Sequence, residues 1–163
     1  MNLGITEEPR TAFARSLSRT PHQRIFVVED DDMTRENLVD ELALQGHEIV
    51  GVQNGAQLLE CLRIIAYDHL RVPDLIVMDV RMPGRSGIDL LETLRRAEWR
   101  TPVVLMTSFV SDELRFRAEV AGAAEVLQKP FALDQLRVAA RRAGAKKDSF
   151  MPCERNWFRR FAS

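Results

Sequence analysis

Cysteine is scarce in this 163-residue chain. Cys61 and Cys153 have no metal-ligand spacing, so neither a disulfide framework nor a thiolate zinc site is expected. His22, His47 and His69 have no carboxylate or cysteine at ligand spacing, which excludes a histidine metal motif as well. No apolar run approaches the roughly eighteen residues of a membrane span, and the first residues lack the apolar stretch of a secretory signal. A cytoplasmic location is the expectation. Repeats and low-complexity tracts are absent. Lysine is the last shortage, with three Lys against twenty Arg.

What is present is the composition of a soluble globular protein, 45% hydrophobic and 29% charged. A chain of this length fits one domain able to bury roughly two thirds of its unfolded surface. The net charge of −1 conceals an uneven distribution. Residues 25–140 carry twelve basic against twenty acidic side chains, whereas residues 1–24 carry four against two and residues 141–163 seven against two. The first 24 residues, rich in Ser, Thr and Arg, are expected to form a flexible arm.

Between the ends, strand-like and helix-like patterns alternate five times. The runs IFVV (25–28), HEIVGV (47–52), LIVM (75–78), VVLM (103–106) and EVLQ (125–128) each precede apolar residues at helical spacing. Asn54, Ser86 and Ser111 mark helix starts, and Gly46 the end of the first helix. The unbroken runs indicate strands buried on both faces, hence an α/β sandwich around a parallel sheet.

In such sheets, ligands collect outside the carboxyl ends of the strands. There the chain places Glu29 and Asp30 after the first run, Asp79 after the third, Thr107 after the fourth and Lys129 after the fifth. Three carboxylates within about 4 Å repel by a few kcal/mol per pair at an effective dielectric near 20, so a cation is needed to hold them together. A hard divalent ion, Mg²⁺ or Mn²⁺, suits an all-oxygen set. Asp79 can then attack phosphorus as a carboxylate nucleophile, with Lys129 offsetting charge on the transferring oxygens and Thr107 donating a hydrogen bond. Lys129 is the one basic residue between 25 and 140 that is not Arg, which points to a requirement for a compact point charge. It precedes Pro130, and X-Pro bonds are the usual site of cis geometry. Asp31 and Asp32 suit a helix cap and a first-turn charge. Met82, Pro83 and Gly87 suit the loop after Asp79, with Gly87 admitting close packing or a positive φ.

The segments VVEDDDMTR, DLIVMDVRMPGRSG, LMTS and LQKPF together resemble the receiver domains of bacterial response regulators in two-component signalling, over residues 25–143. The resemblance implies a flavodoxin-like (βα)5 three-layer sandwich with a five-stranded parallel sheet of order 2-1-3-4-5. It implies Asp79 as phosphoacceptor, Glu29 and Asp30 as the acidic pair binding Mg²⁺ with the Arg81 backbone carbonyl, Thr107 as the switch hydroxyl and Lys129 as the phosphate partner. The donor would be a histidine kinase or histidine phosphotransfer protein, and none of the three histidines here is the donor. Phosphorylation and dephosphorylation of that aspartate would both be self-catalysed, which makes the chain a phosphoacceptor switch and not an enzyme. Output would pass by protein contact through the fourth and fifth helices, 111–121 and 132–143, the face that also serves homodimers.

Two positions depart from the family pattern. Glu29 stands where the family usually has Asp, and Val126 stands where it has the Phe or Tyr that moves with the switch hydroxyl. Residues 144–163 interleave basic side chains with Phe150, Trp157, Phe158 and Phe161. They contain no recognition-helix pattern, so a stand-alone receiver is expected and DNA binding is not. A partner protein, an anionic surface or docking on the domain itself remains open for this tail. The alternatives are a constitutive adaptor, the receiver of a transcription regulator lacking its DNA-binding domain, and a phosphatase of the haloacid dehalogenase type. The last wants a second Asp two residues after the nucleophile, where this chain has Arg81.

Overall fold

A computed structural model describes residues 22–145. The expectations for the arm and for the basic, aromatic tail fall almost wholly outside the described residues. Five strands, β1 (Arg24–Val28), β2 (Glu48–Val52), β3 (Leu75–Asp79), β4 (Val103–Thr107) and β5 (Glu125–Gln128), alternate with five helices. These are α1 (Asp32–Leu44), α2 (Gly55–Tyr67), α3 (Gly87–Arg96), α4 (Asp112–Val120) and α5 (Leu133–Ala145). All strand pairings are parallel, and the order is β2-β1-β3-β4-β5, as the sequence implies.

The unbroken apolar runs are explained by burial on both faces. Every residue of β3 and β4 is buried. Phe26, Val28, Ile76, Met78, Val103 and Leu105 turn to one side, against Leu58 and Leu62 of α2, Leu90, Leu91 and Leu94 of α3 and Ala118 of α4. Ile25, Val27, Leu75, Val77, Val104 and Met106 turn to the other, against Leu38 and Leu42 of α1 and Leu136, Ala139 and Ala140 of α5. The strand period of two thus divides one run of apolar residues between two cores, and three layers result.

Helix starts follow local chemistry. Asp31, Asn54, Ser86 and Ser111 each accept a hydrogen bond from the backbone N–H three residues on, replacing a partner the first turn lacks. The first helix stops at Leu44, with Gly46 following at φ 85°, a conformation that glycine adopts without strain. Two strands extend one residue past the apolar run, so Asp79 and Thr107 are the last residues of β3 and β4. Glu29 N–H donates to the Val52 carbonyl (3.1 Å), Val80 N–H to that of Met106 (2.8 Å) and Lys129 N–H to that of Thr107 (2.7 Å). Ladder bonds therefore hold the backbone on which the rim residues stand.

Candidate functional site

The parallel register brings the strand ends to one rim. Val28 pairs with Met78, Asp79 with Met106 and Thr107 with Gln128, so Glu29, Asp79, Thr107 and Lys129 stand side by side although they span a hundred residues. Glu29, Asp79 and Thr107 are buried, Lys129 is half-buried and Asp30 is exposed. Lys129 Nζ lies 2.7 Å from Asp79 Oδ1 and 2.5 Å from Glu29 Oε2, bridging the two buried carboxylates. Asp79 Oδ2 accepts from the Arg81 backbone N–H at 2.7 Å. Both Asp79 oxygens are thus held, one by an ammonium and one by an amide.

Electrostatics in this pocket are a contest between burial and pairing. Burial raises the pKa of the Glu29 carboxyl above its ordinary value, more than the bond from Lys129 and the Asp31 N–H lower it. For Lys129, burial works to lower the pKa, but its bonds to Asp79 and Glu29 outweigh that effect and raise it. The ammonium is firmly charged. Carboxylate oxygens of Glu29, Asp30 and Asp79 all lie within 4.8 Å of one another. Three carboxylates against one ammonium leave a formal surplus of two negative charges, and the donor set is all oxygen, so these residues fit a hard divalent cation.

The loop after β3 depends on Gly87. A Cβ there would lie 2.3 Å from the Asp79 carbonyl oxygen, closer than side-chain carbons approach backbone. Close packing therefore explains this glycine, and its N–H donates to the Val80 carbonyl at 2.8 Å. Asp31 caps α1, and Asp32 is that helix's first residue, as expected. The Lys129–Pro130 bond is cis. The Thr107 hydroxyl is engaged by backbone: it donates to the Phe109 carbonyl (3.0 Å) and accepts from the Phe109 N–H (3.3 Å). Val126 is half-buried against the core.

Sequence reasoning missed two participants. Arg35 donates to the Glu29 carbonyl at 2.9 Å and to the Asp32 carboxylate, tying the first turn of α1 to the end of β1. Its spacing of three from Asp32 was the available signal. Phe109 enters through its backbone, which leaves no signature in residue type.

Residues 25–141 match the family described as the response regulator receiver domain. The chain belongs to that family. This receiver is 40% identical over 124 residues to the regulatory protein AtoC of Escherichia coli, covering 76% of the chain and 26% of AtoC. It is 35% identical over 114 residues to the transcriptional regulatory protein PdtaR of Mycobacterium tuberculosis, covering 70% of the chain and 53% of PdtaR. The chain thus spans a quarter to about half the length of these curated relatives. A response regulator receiver domain protein from Clostridium thermocellum superposes with a TM-score of 0.68 at 26% identity, over 79% of this chain and 99% of that one. The solved structure titled FixJ-N gives 0.66 at 25%, over 82% of this chain and all of that one. The fold and the two-component receiver assignment follow. Among the described residues no helix is long and apolar enough to cross a membrane.

Proposed function

We propose that this receiver accepts a phosphoryl group on Asp79 from a histidine kinase or histidine phosphotransfer protein and signals by protein contact. The observation that carries this reading is the fixed Asp79 carboxylate, held between Lys129 and the Arg81 N–H beside two further carboxylates. In the transfer one Asp79 oxygen bonds to phosphorus and the bond from phosphorus to the donor's imidazole nitrogen breaks. That nitrogen keeps the electron pair, and the ring, protonated on its other nitrogen, leaves neutral. Lys129 is within reach of the oxygens that gain charge, and Thr107 stands one residue along the neighbouring strand to donate to one of them. Glu29, Asp30, Asp79 and the Arg81 carbonyl would hold Mg²⁺, which when bound offsets further charge on the transferring oxygens. The aspartyl phosphate is the output state, so the chain acts as a switch that assists its own phosphorylation and dephosphorylation.

The test is the intact mass of the full chain after incubation with acetyl phosphate and Mg²⁺. The gain of one phosphoryl group is expected for the native chain and not for Asp79→Asn. An unmodified native chain that binds Mg²⁺ would favour a constitutive adaptor, and steady phosphate release from unrelated monoesters would favour a phosphatase. A second reading, the receiver of a transcription regulator, is favoured by the greater length of the relatives and the name of PdtaR.

A further inference from the structure

The end of α2 carries apolar surface that the described domain leaves open. Ile64 is 41% exposed, Leu70 48% and Tyr67 72%. The backbone gathers the three at one place. Asp68 N–H donates to the Ile64 carbonyl and Leu70 N–H to that of Ile65, both at 2.9 Å, with His69 between them at φ 52°. This left-handed helix ending reverses the chain and brings Leu70 back to the last turn of α2. Charge there is the wrong way round for a helix end. The last turn has no basic residue, the C-cap is Asp68, and Arg63 is held by Glu60. Carbonyls at a helix C-terminus favour cations, and here a carboxylate stands among them.

The chain enters the domain beside this patch. Arg71, the residue after Leu70, reaches the His22 carbonyl with Nη2 at 3.5 Å, and Arg24 donates in return to the Arg71 carbonyl. Residues before His22 therefore start from the connection between α2 and β3, at the pole of the sheet opposite the acidic rim. Leu17 and Phe13 stand five and nine residues before His22, a reach of at most about 18 and 32 Å. Both belong to RTAFARSLSR, residues 10–19, which holds three Arg and no carboxylate. We infer that residues 10–19 dock on the end of α2, with Phe13 and Leu17 covering Ile64, Tyr67 and Leu70 and the arginines beside Asp68. The basic, aromatic stretch after Ala145 is the poorer occupant, because it follows α5, which packs on the face of the sheet opposite α2. The docking makes no use of Asp79, so it stands apart from the proposed phosphorylation.

Tyr67 is the single tyrosine of the chain, which supplies the probe. The full chain grown with 3-fluorotyrosine has one fluorine resonance, and its shift between H2O and D2O measures how far solvent reaches the ring. The native shift should fall well below that of free 3-fluorotyrosine. Phe13→Ser combined with Leu17→Ser, which leaves the domain core untouched, should raise it towards the free value, and Phe13→Met should keep the native one. In parallel, p-benzoylphenylalanine at position 13 of the dilute full chain should attach, on irradiation, to the tryptic peptide 64–71 at the mass of one chain. Equal isotope shifts in the native and doubly substituted chains overturn the inference. An adduct of doubled mass overturns it as well and hands the patch to a second copy. Attachment elsewhere in the chain, with peptide 64–71 unmodified, places the arm away from α2 and has the same consequence.

Discussion

The chemistry at a single side chain in this fold follows from what faces it, and His47 shows it away from the acidic rim. It lies just before β2, at the opposite end of the sheet, buried, and its Nδ1 accepts from the Gln23 backbone N–H at 3.3 Å. Burial lowers its pKa below the ordinary 6.5, helped by the positive fields of His22 and Arg137. An imidazole that must stay neutral to accept a hydrogen bond binds fewer protons in the folded state than in the unfolded one. Its contribution is therefore whole above about pH 6.5 and is lost as the pH falls through the lowered folded value. Urea midpoints should drop as the pH is lowered from about 7.5 towards 5, a range that brackets the ordinary histidine pKa. His47→Gln, which keeps an acceptor and cannot titrate, should flatten that slope. Parallel slopes in the two chains would show that His47 is not the group responsible.

At the scale of elements, much was legible because burial and capping are local or periodic. Runs such as LIVM and VVLM located β3 and β4 to within a residue, since a strand covered on both faces cannot alternate apolar with polar residues. Asn54, Ser86 and Ser111 announced helix starts that the structure has, each through a bond spanning three residues. The convergence of Glu29, Asp30, Asp79, Thr107 and Lys129 was also legible, as strand ends in one parallel sheet. The bridge of Lys129 to Glu29 and the turn of Thr107 towards Phe109 were not. Side-chain rotamers answer to neighbours that only the assembled sheet brings near. The difference between local and assembled contributions is measurable in α3. Removing the cap in Ser86→Ala should destabilise the chain by about 1 kcal/mol, near 2–4 °C in a domain of this size. Leu94→Ala, which empties a fully buried site of the same helix, should take about 2–5 kcal/mol. Equal losses in thermal unfolding would mean that α3 is held by its own propensity and not by the core.

The whole molecule acts at the rim as a frame that forces like charges together. Glu29 and Lys129 are a hundred positions apart, and only the β1-β3-β4-β5 order sets them 2.5 Å from each other with Asp79 between. The arrangement leaves three carboxylates with one ammonium, and the fold holds this surplus negative charge against its own repulsion. A divalent cation that binds the folded chain and not the unfolded one should stabilise by mass action, about 2.7 kcal/mol at a hundredfold excess over its dissociation constant. Melting in Mg²⁺ should then exceed melting in EDTA by roughly 5–10 °C. Asp30 is exposed and makes no bond to Lys129, so Asp30→Asn should remove most of that increment while leaving the metal-free midpoint almost unchanged. Lys129→Met should do the reverse, because two buried carboxylates lose their cation: the metal-free midpoint falls and the Mg²⁺ increment grows. Coincident melts with and without Mg²⁺ in the native chain would mean that Lys129 alone balances the rim. A Lys129→Met increment smaller than the native one would mean that the ammonium helps to hold the ion and does not compete with it.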